Sequence, residues 1–173
     1  NLANGAEFVY HLGDWTLGTT APAFGLLLAP LAALGIPLPN GVVLLNICLD
    51  LAIFVVSVFS VPRTIRSRFA VGFGLLFGGS PLLTRICVGG MEVNLFLLVS
   101  LLAIRWYLKG RKLRGVAVAT MSYHLRPEAL MLVVVLCAWE AYRTDVWSGV
   151  KLAVVAISLW GATLAVLLGY YGH

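Results

Sequence analysis

The sequence predicts an all-helical integral membrane protein, a polytopic bundle of about six transmembrane helices with one short interfacial helix. Three observations predict it. Of 173 residues, 61% are apolar and only 11% charged, with a mean hydropathy of +0.97, where soluble domains carry roughly 25% charged residues. Apolar runs near the bilayer-spanning length of about 20 residues recur between short polar breaks. Lipid offers the backbone no hydrogen-bond partners, so such runs must be helical.

Residues 1–40 read as an external loop and an interfacial helix. The opening is polar and Gly-rich, with Asp14, Trp15, Thr19 and Thr20. It shows no signal-peptide pattern. An apolar helix is predicted from Pro22 to Leu34, begun by Thr20 or Ala21 and closed by Gly35, Pro37 and Pro39. It spans only about 20 Å, too short to cross, so it is expected at the interface.

Residues 41–173 read as the transmembrane region, with spans at 41–61, 69–88, 93–108, 115–125, 128–142 and 150–169. The first ends at Pro62 and the cluster Arg63, Arg66 and Arg68, and the third stops at the basic run Lys109 to Arg114. The stretch 115–142 is broken by His124, Arg126, Pro127 and Glu128. Two topologies fit it: a hairpin turning at Arg126 to Glu128, or one long tilted helix that would place 143–149 outside. The hairpin is preferred, because Pro127 disfavours helix at Arg126 and charges at mid-span are expensive. Cys48, Cys87 and Cys137 lack metal-ligand spacing and read as small buried residues.

Short cytoplasmic loops collect Lys and Arg. With the Arg63–Arg68 and Lys109–Arg114 loops cytoplasmic, all twelve Lys and Arg residues except Arg85 and Arg126 fall on that side. Glu7, Asp14, Glu92 and Glu128 gather on the other. The net charge of +5 is thus a topology signal for a multi-pass protein of the cell membrane, in contact with membrane lipids, and no nucleic-acid partner is expected.

Polar groups inside an apolar zone mark candidate sites. Glu92, after Gly89, Gly90 and Met91, and the run Arg126-Pro127-Glu128 share the external side. Two carboxylates and a guanidinium there suit a phosphate held by Arg126 and hydroxyls held by the acids. The competing reading is that Arg126 simply neutralises Glu128 or Glu92. Asn46 and Asp50 lie four apart on one helix face and read as interhelical hydrogen-bonding residues. His124 reads either as a packing residue or as a base titrating near neutral pH. No Walker loop, metal-ligand pair, nucleophile elbow or dinucleotide glycine motif is present.

Four stretches resemble the polytopic GT-C glycosyltransferases that use polyprenyl-phosphate sugars, closest to their bacterial and archaeal mannosyl- and arabinofuranosyltransferase-like branch. Asn1-Leu2-Ala3-Asn4-Gly5, Gly13-Asp14 and Gly18-Thr19-Thr20-Ala21-Pro22-Ala23-Phe24 resemble that branch's first external loop, with its N-L-A-x-G and G-x-T-S-P-L-W elements. Gly90-Met91-Glu92 resembles its G-M-E element, and Leu125-Arg126-Pro127-Glu128 its L-T-R-P-E element. Tyr170-Tyr171-Gly172-His173 resembles the start of a Y-Y-G-x-x-x-P-N-T segment. Together these cover nearly the whole chain in the family's order.

The resemblance implies inverting transfer of a sugar from a polyprenyl-phosphate donor to an extracytoplasmic glycan, lipid or protein acceptor. It assigns donor-binding or supporting roles to Glu92, Arg126, Glu128, Thr19, Thr20 and His124. The family's catalytic aspartate precedes the N-L-A-x-G stretch, so it is expected upstream of Asn1, this chain being read as an internal fragment inactive by itself. Ala21-Pro22-Ala23-Phe24 replaces S-P-L-W, and His124-Leu125 stands where small residues and Thr are commoner, which leaves the acceptor open. The resemblance fixes no cofactor, and assistance by a divalent metal stays open. A transporter or flippase fragment, with Asp50, Glu92 and Arg126 along a path, predicts paired broken helices in an internal repeat, and the halves show no self-similarity. A non-catalytic assembly subunit predicts small-residue stripes, for which Gly72 to Gly79 is the best candidate.

Overall fold

A computed structural model describes residues 22–80 and 92–171. Among them the chain is all-helical: α1 (Pro22–Ala33), α2 (Leu38–Ser60), α3 (Arg66–Gly78), α4 (Val93–Leu108), α5 (Lys112–Met121), α6 (Ala129–Arg143) and α7 (Val146–Tyr171), with a 3-10 turn, Ser122–His124, after α5. Thr19, Thr20, Cys87, the glycine pair before Glu92 and the ends of the Gly-rich and Tyr-Tyr motifs lie outside the described residues.

Local chemistry sets the boundaries. Gly35 and Gly110 take the left-handed conformation, φ 77° and 81°, which glycine adopts without steric cost. Each closes its helix by the same pair of bonds. Gly35 N–H donates to Ala32 O and Ile36 N–H to Leu31 O; Gly110 N–H donates to Tyr107 O and Arg111 N–H to Trp106 O. This is the Schellman arrangement, which satisfies the last carbonyls of α1 and α4 and reverses the chain. Pro39 sits in the first turn of α2, where a missing N–H costs nothing. Asp145 caps α7, accepting the Ser148 N–H at 2.8 Å and the Ser148 hydroxyl at 2.7 Å.

Side-chain contacts give the helix directions. Arg105, near the end of α4, donates to Val56 O at 3.3 Å and to the Ser60 hydroxyl at 3.2 Å, near the end of α2. Hence α2 and α4 run parallel. Lys112, at the start of α5, meets Glu140, near the end of α6, at 2.6 Å. The chain therefore folds back between Met121 and Ala129, and 115–142 is not one continuous helix. The basic turns after α2 and α4, together with Arg143 and Lys151, consequently share one end of the bundle.

The main core joins α4 to α7 through Ala103, Tyr107, Val116, Ala119, Val133, Leu136, Leu152 and Ala156. Glycines let these helices touch. A Cβ on Gly115 would stand 2.7 Å from Ala103 O, and one on Gly149 would stand 2.6 Å from the Ala141 Cβ. A second cluster, Phe24, Leu49, Leu95 and Leu125, ties α1, α2 and α4 to the turn before α6. α3 has no buried residue and leans on α2 through stacked rings, Phe54 on Phe73 at 5.9 Å.

One buried carboxylate crosses three helices. Glu140, 3% exposed, accepts bonds from Lys112 Nζ at 2.6 Å, the Tyr107 hydroxyl at 2.6 Å and the Thr144 hydroxyl at 2.9 Å. Every donor that a buried charge needs is thus supplied by side chains.

Two helices are long and apolar enough to cross a membrane, over Pro39–Ser60 and Val146–Gly169. Of the spans expected from hydropathy, these two reach bilayer-crossing length among the described residues, and Val93–Leu108 is a shorter apolar helix. α3, α4, α5 and α6 have 13, 16, 10 and 15 residues. At about 1.5 Å per residue, α5 covers roughly 15 Å, half a hydrocarbon core of about 30 Å. The helices stop at Gly110 and before Pro127, where the sequence reading placed its breaks. The exterior is apolar all the same: Leu51, Leu75, Leu76, Met131, Ile157 and Val166 are each more than half exposed. A surface of this kind belongs against lipid or protein.

Replacing Gly149 with Val should separate α6 from α7 and destabilise the fold by about 1–3 kcal/mol, read as a lower melting temperature by circular dichroism in detergent micelles. Tyr107→Phe removes one donor from buried Glu140 and should cost about 1.5–3 kcal/mol in the same assay. Asp145 is held below its ordinary value of 3.8 by the Ser148 hydroxyl first and the Ser148 N–H second. A depressed carboxylate stabilises above its unfolded pKa and loses that contribution as pH falls through its folded pKa. The melting-temperature gap between wild type and Asp145→Asn should therefore be present at neutral pH and close in acid.

Candidate functional site

The candidate site is the turn between α5 and α6. Ser122 builds it: its hydroxyl donates to Ala119 O at 2.6 Å, and its carbonyl accepts the N–H groups of Leu125 and Arg126 at 2.9 and 3.0 Å. The 3-10 turn tightens the end of α5, and Pro127 then starts a new helix with Ala129 N–H bonded to Arg126 O at 3.1 Å. Leu125, 5% exposed, plugs into the α1–α2–α4 cluster and fixes the adjacent Arg126.

Arg126 grips Glu128 in a fork, Nη2 to Oε1 at 3.0 Å and Nε to Oε2 at 3.3 Å. This is the self-neutralising pair that the sequence offered as the competing reading. The Arg126 side chain is 33% exposed and that of Glu128 56%, so the pair stays reachable. The Glu128 hydrogen bond raises the guanidinium above its ordinary pKa against the opposing effect of burial, and the charges of Glu128 and then Glu92 act in the same upward direction. Glu92 stands at the N-terminal end of α4, and its charge acts on Arg126 from there.

The depth of this turn differs from the sequence reading, which put it at the external ends of the spans. It does cap the short helices α4 and α6. Against the long helices it is recessed. The Tyr123 ring meets Trp160 of α7 edge-on at 6.1 Å, and eleven residues, about 16 Å of helix, continue from Trp160 to the end of α7 at Tyr171. Leu125 packs with Leu49 of α2, again eleven residues and about 16 Å from the start of α2 at Leu38. The ion pair thus lies midway along both long helices, beside Phe24 of α1.

His124 packs edge-on against Tyr123, ring centroids 5.8 Å apart, as a member of this aromatic wall. Asn46 of α2 and Asn94 of α4 are fully buried, Asn46 one helical turn from Leu49 and Asn94 adjacent to Leu95 in the same cluster. Asn94 escaped sequence reasoning, although its signal was there: an amide in the first turn of an apolar helix two residues after Glu92. The Tyr107–Lys112–Glu140 network escaped it as well, since Lys112 reads as one more loop cation until α5 and α6 are paired.

Two concavities stand among the described residues. A groove of about 460 Å³ between α6 and α7 is lined almost wholly by carbon, from Ala141 and Gly149 through Cys137 and Ala153 to Trp160. A cleft of about 540 Å³ lies at the basic end, between Gly110–Arg114 and Leu152. Among the described residues no group of three or more His, Cys, Asp or Glu side chains is placed to hold a metal ion.

Comparison of the chain with protein-family models, with curated proteins and with solved structures found no match.

Proposed function

We propose that this chain is part of a GT-C-type membrane glycosyltransferase that moves a sugar from a polyprenyl-phosphate donor to an acceptor on the side away from the basic turns. The observation that carries this reading is the recessed, solvent-reachable Arg126–Glu128 fork with Glu92 in its field. A charged cluster midway along two bilayer-length apolar helices is expensive unless it has a ligand or function to serve. In this topology α2 and α7 cross the membrane, the Arg63–Arg68 and Lys109–Arg114 turns are cytoplasmic, and the Arg126 turn opens to the far side.

The chemistry follows from the groups present. Arg126 uses two of its five N–H donors on Glu128, leaving others for a donor phosphate. The acceptor hydroxyl attacks the anomeric carbon as the bond from that carbon to the phosphate oxygen breaks, and polyprenyl phosphate departs with its new charge held by Arg126. Glu92 and Glu128 orient sugar or acceptor hydroxyls. Thr19, Thr20 and His124 are supporting donor-site residues in this scheme. The proton of the attacking hydroxyl goes to a carboxylate base, and Glu92 and Glu128 are not given that role.

The test is binding, which does not require the base. Purified protein in detergent should bind farnesyl phosphate in preference to farnesol, and Arg126→Gln should weaken the phosphate ligand tenfold or more, by loss of about 1.5–3 kcal/mol of charged hydrogen bonding. Equal binding of farnesol, or unchanged binding by the variant, overturns the proposal.

A further inference from the structure

We infer that the cleft at the basic end is a binding site for the headgroup of an anionic phospholipid. The inference needs only that the chain sits in a membrane and is independent of the glycosyl-transfer reading.

The cleft has two chemistries side by side. Arg111 and Arg114 are both exposed and lie three residues apart, and Gly110 between α4 and α5 adds no side chain to the mouth. Lys112 closes the floor, where its ammonium is already balanced by Glu140. No other ion pair involves the cleft residues among the described residues, so the two arginines bring positive charge without a local counterion. Leu113, 55% exposed, and buried Leu152 supply the apolar part.

An inorganic anion would satisfy the arginines and leave the leucine walls against water. A zwitterionic phospholipid would cover the leucines and offer its phosphate, but it would bring a choline cation beside the two arginines and add no net negative charge. An anionic phosphodiester with acyl chains meets both demands, and the volume of about 540 Å³ accommodates a glycerophosphate headgroup with the first part of its chains. Charge complementarity favours this occupant: the cleft opens at the end of the bundle that collects the basic turns, and a basic cluster at a membrane surface selects anionic lipid by an amount that corresponds to roughly a fivefold preference per Arg.

Purified protein would be equilibrated in mixed micelles with phosphatidylglycerol or phosphatidylcholine, separated by gel filtration and the retained lipid counted by mass spectrometry. Phosphatidylglycerol should be retained over phosphatidylcholine, inorganic phosphate should not displace it, and Arg111→Gln with Arg114→Gln should weaken retention roughly fivefold for each arginine removed. Arg68→Gln, in the first turn of α3 within the other basic cluster, should retain it as wild type does. Equal retention of phosphatidylcholine, displacement by inorganic phosphate, or wild-type retention by the double variant overturns the inference. An equal loss in Arg68→Gln overturns it too, since the effect would then be bulk charge and not the cleft. Loss of farnesyl phosphate binding at Arg126 would leave these results unchanged, so the two proposals fail separately.

Discussion

The architecture depends on one buried negative charge. A carboxylate as enclosed as Glu140 is tolerated only when its oxygens are fully engaged, and the three side chains that engage it come from α4, from α5 and from the residue after α6. Satisfying it fixes more than energy. Lys112 opens α5 and Glu140 lies one turn from the end of α6, so the bond between them makes these helices antiparallel and in register. Tyr107 brings the end of α4 to the same point, and Arg105, half a turn away, then carries α2 into parallel alignment. The gathering of the basic turns at one end is thus a geometric consequence of a single buried acid and its partners.

At the opposite end the controlling feature is length. A ten-residue α5 cannot reach as far as α2 or α7, and it is held in an apolar setting because its middle, Gly115 to Thr120, is enclosed by α4, α6 and α7. Its polar side chains turn inward on its own carbonyls, Thr120 on Val116 and Ser122 on Ala119. Because α5 ends early, the turn that follows is carried to mid-depth, and the charged residues of that turn go with it.

Much of this was legible in the sequence and some was not, for identifiable reasons. Helix identity followed from hydropathy, and the breaks at Gly35, Gly110 and Pro127 are written in residues with only a few permitted conformations. The closeness of Glu92, Arg126 and Glu128 could be reasoned from loop charges. Depth could not, since windowed hydropathy scores composition and not where a helix stops, and the apolar residues of 115–125 score alike whether they cross the bilayer or reach half-way. Glu140 was illegible for the opposite reason. Its neighbours in sequence are apolar, and its partners lie 28 and 33 residues away, a pairing that exists only once α4, α5 and α6 are packed.

The two charge clusters differ in the way that distinguishes structural from available charge. Glu140 has its oxygens committed to three donors, its surroundings are closed, and removing any partner would leave an uncompensated group. Among the described residues Arg126 and Glu128 are joined only to each other, through residues two apart, and both remain partly open. Such a local fork positions nothing at long range: Leu125 already anchors the turn, and Ser122 already sets its backbone. A packing role therefore does not account for a guanidinium kept at this depth. What the fork does provide is an Arg whose charge is held in place and partly neutralised by Glu128.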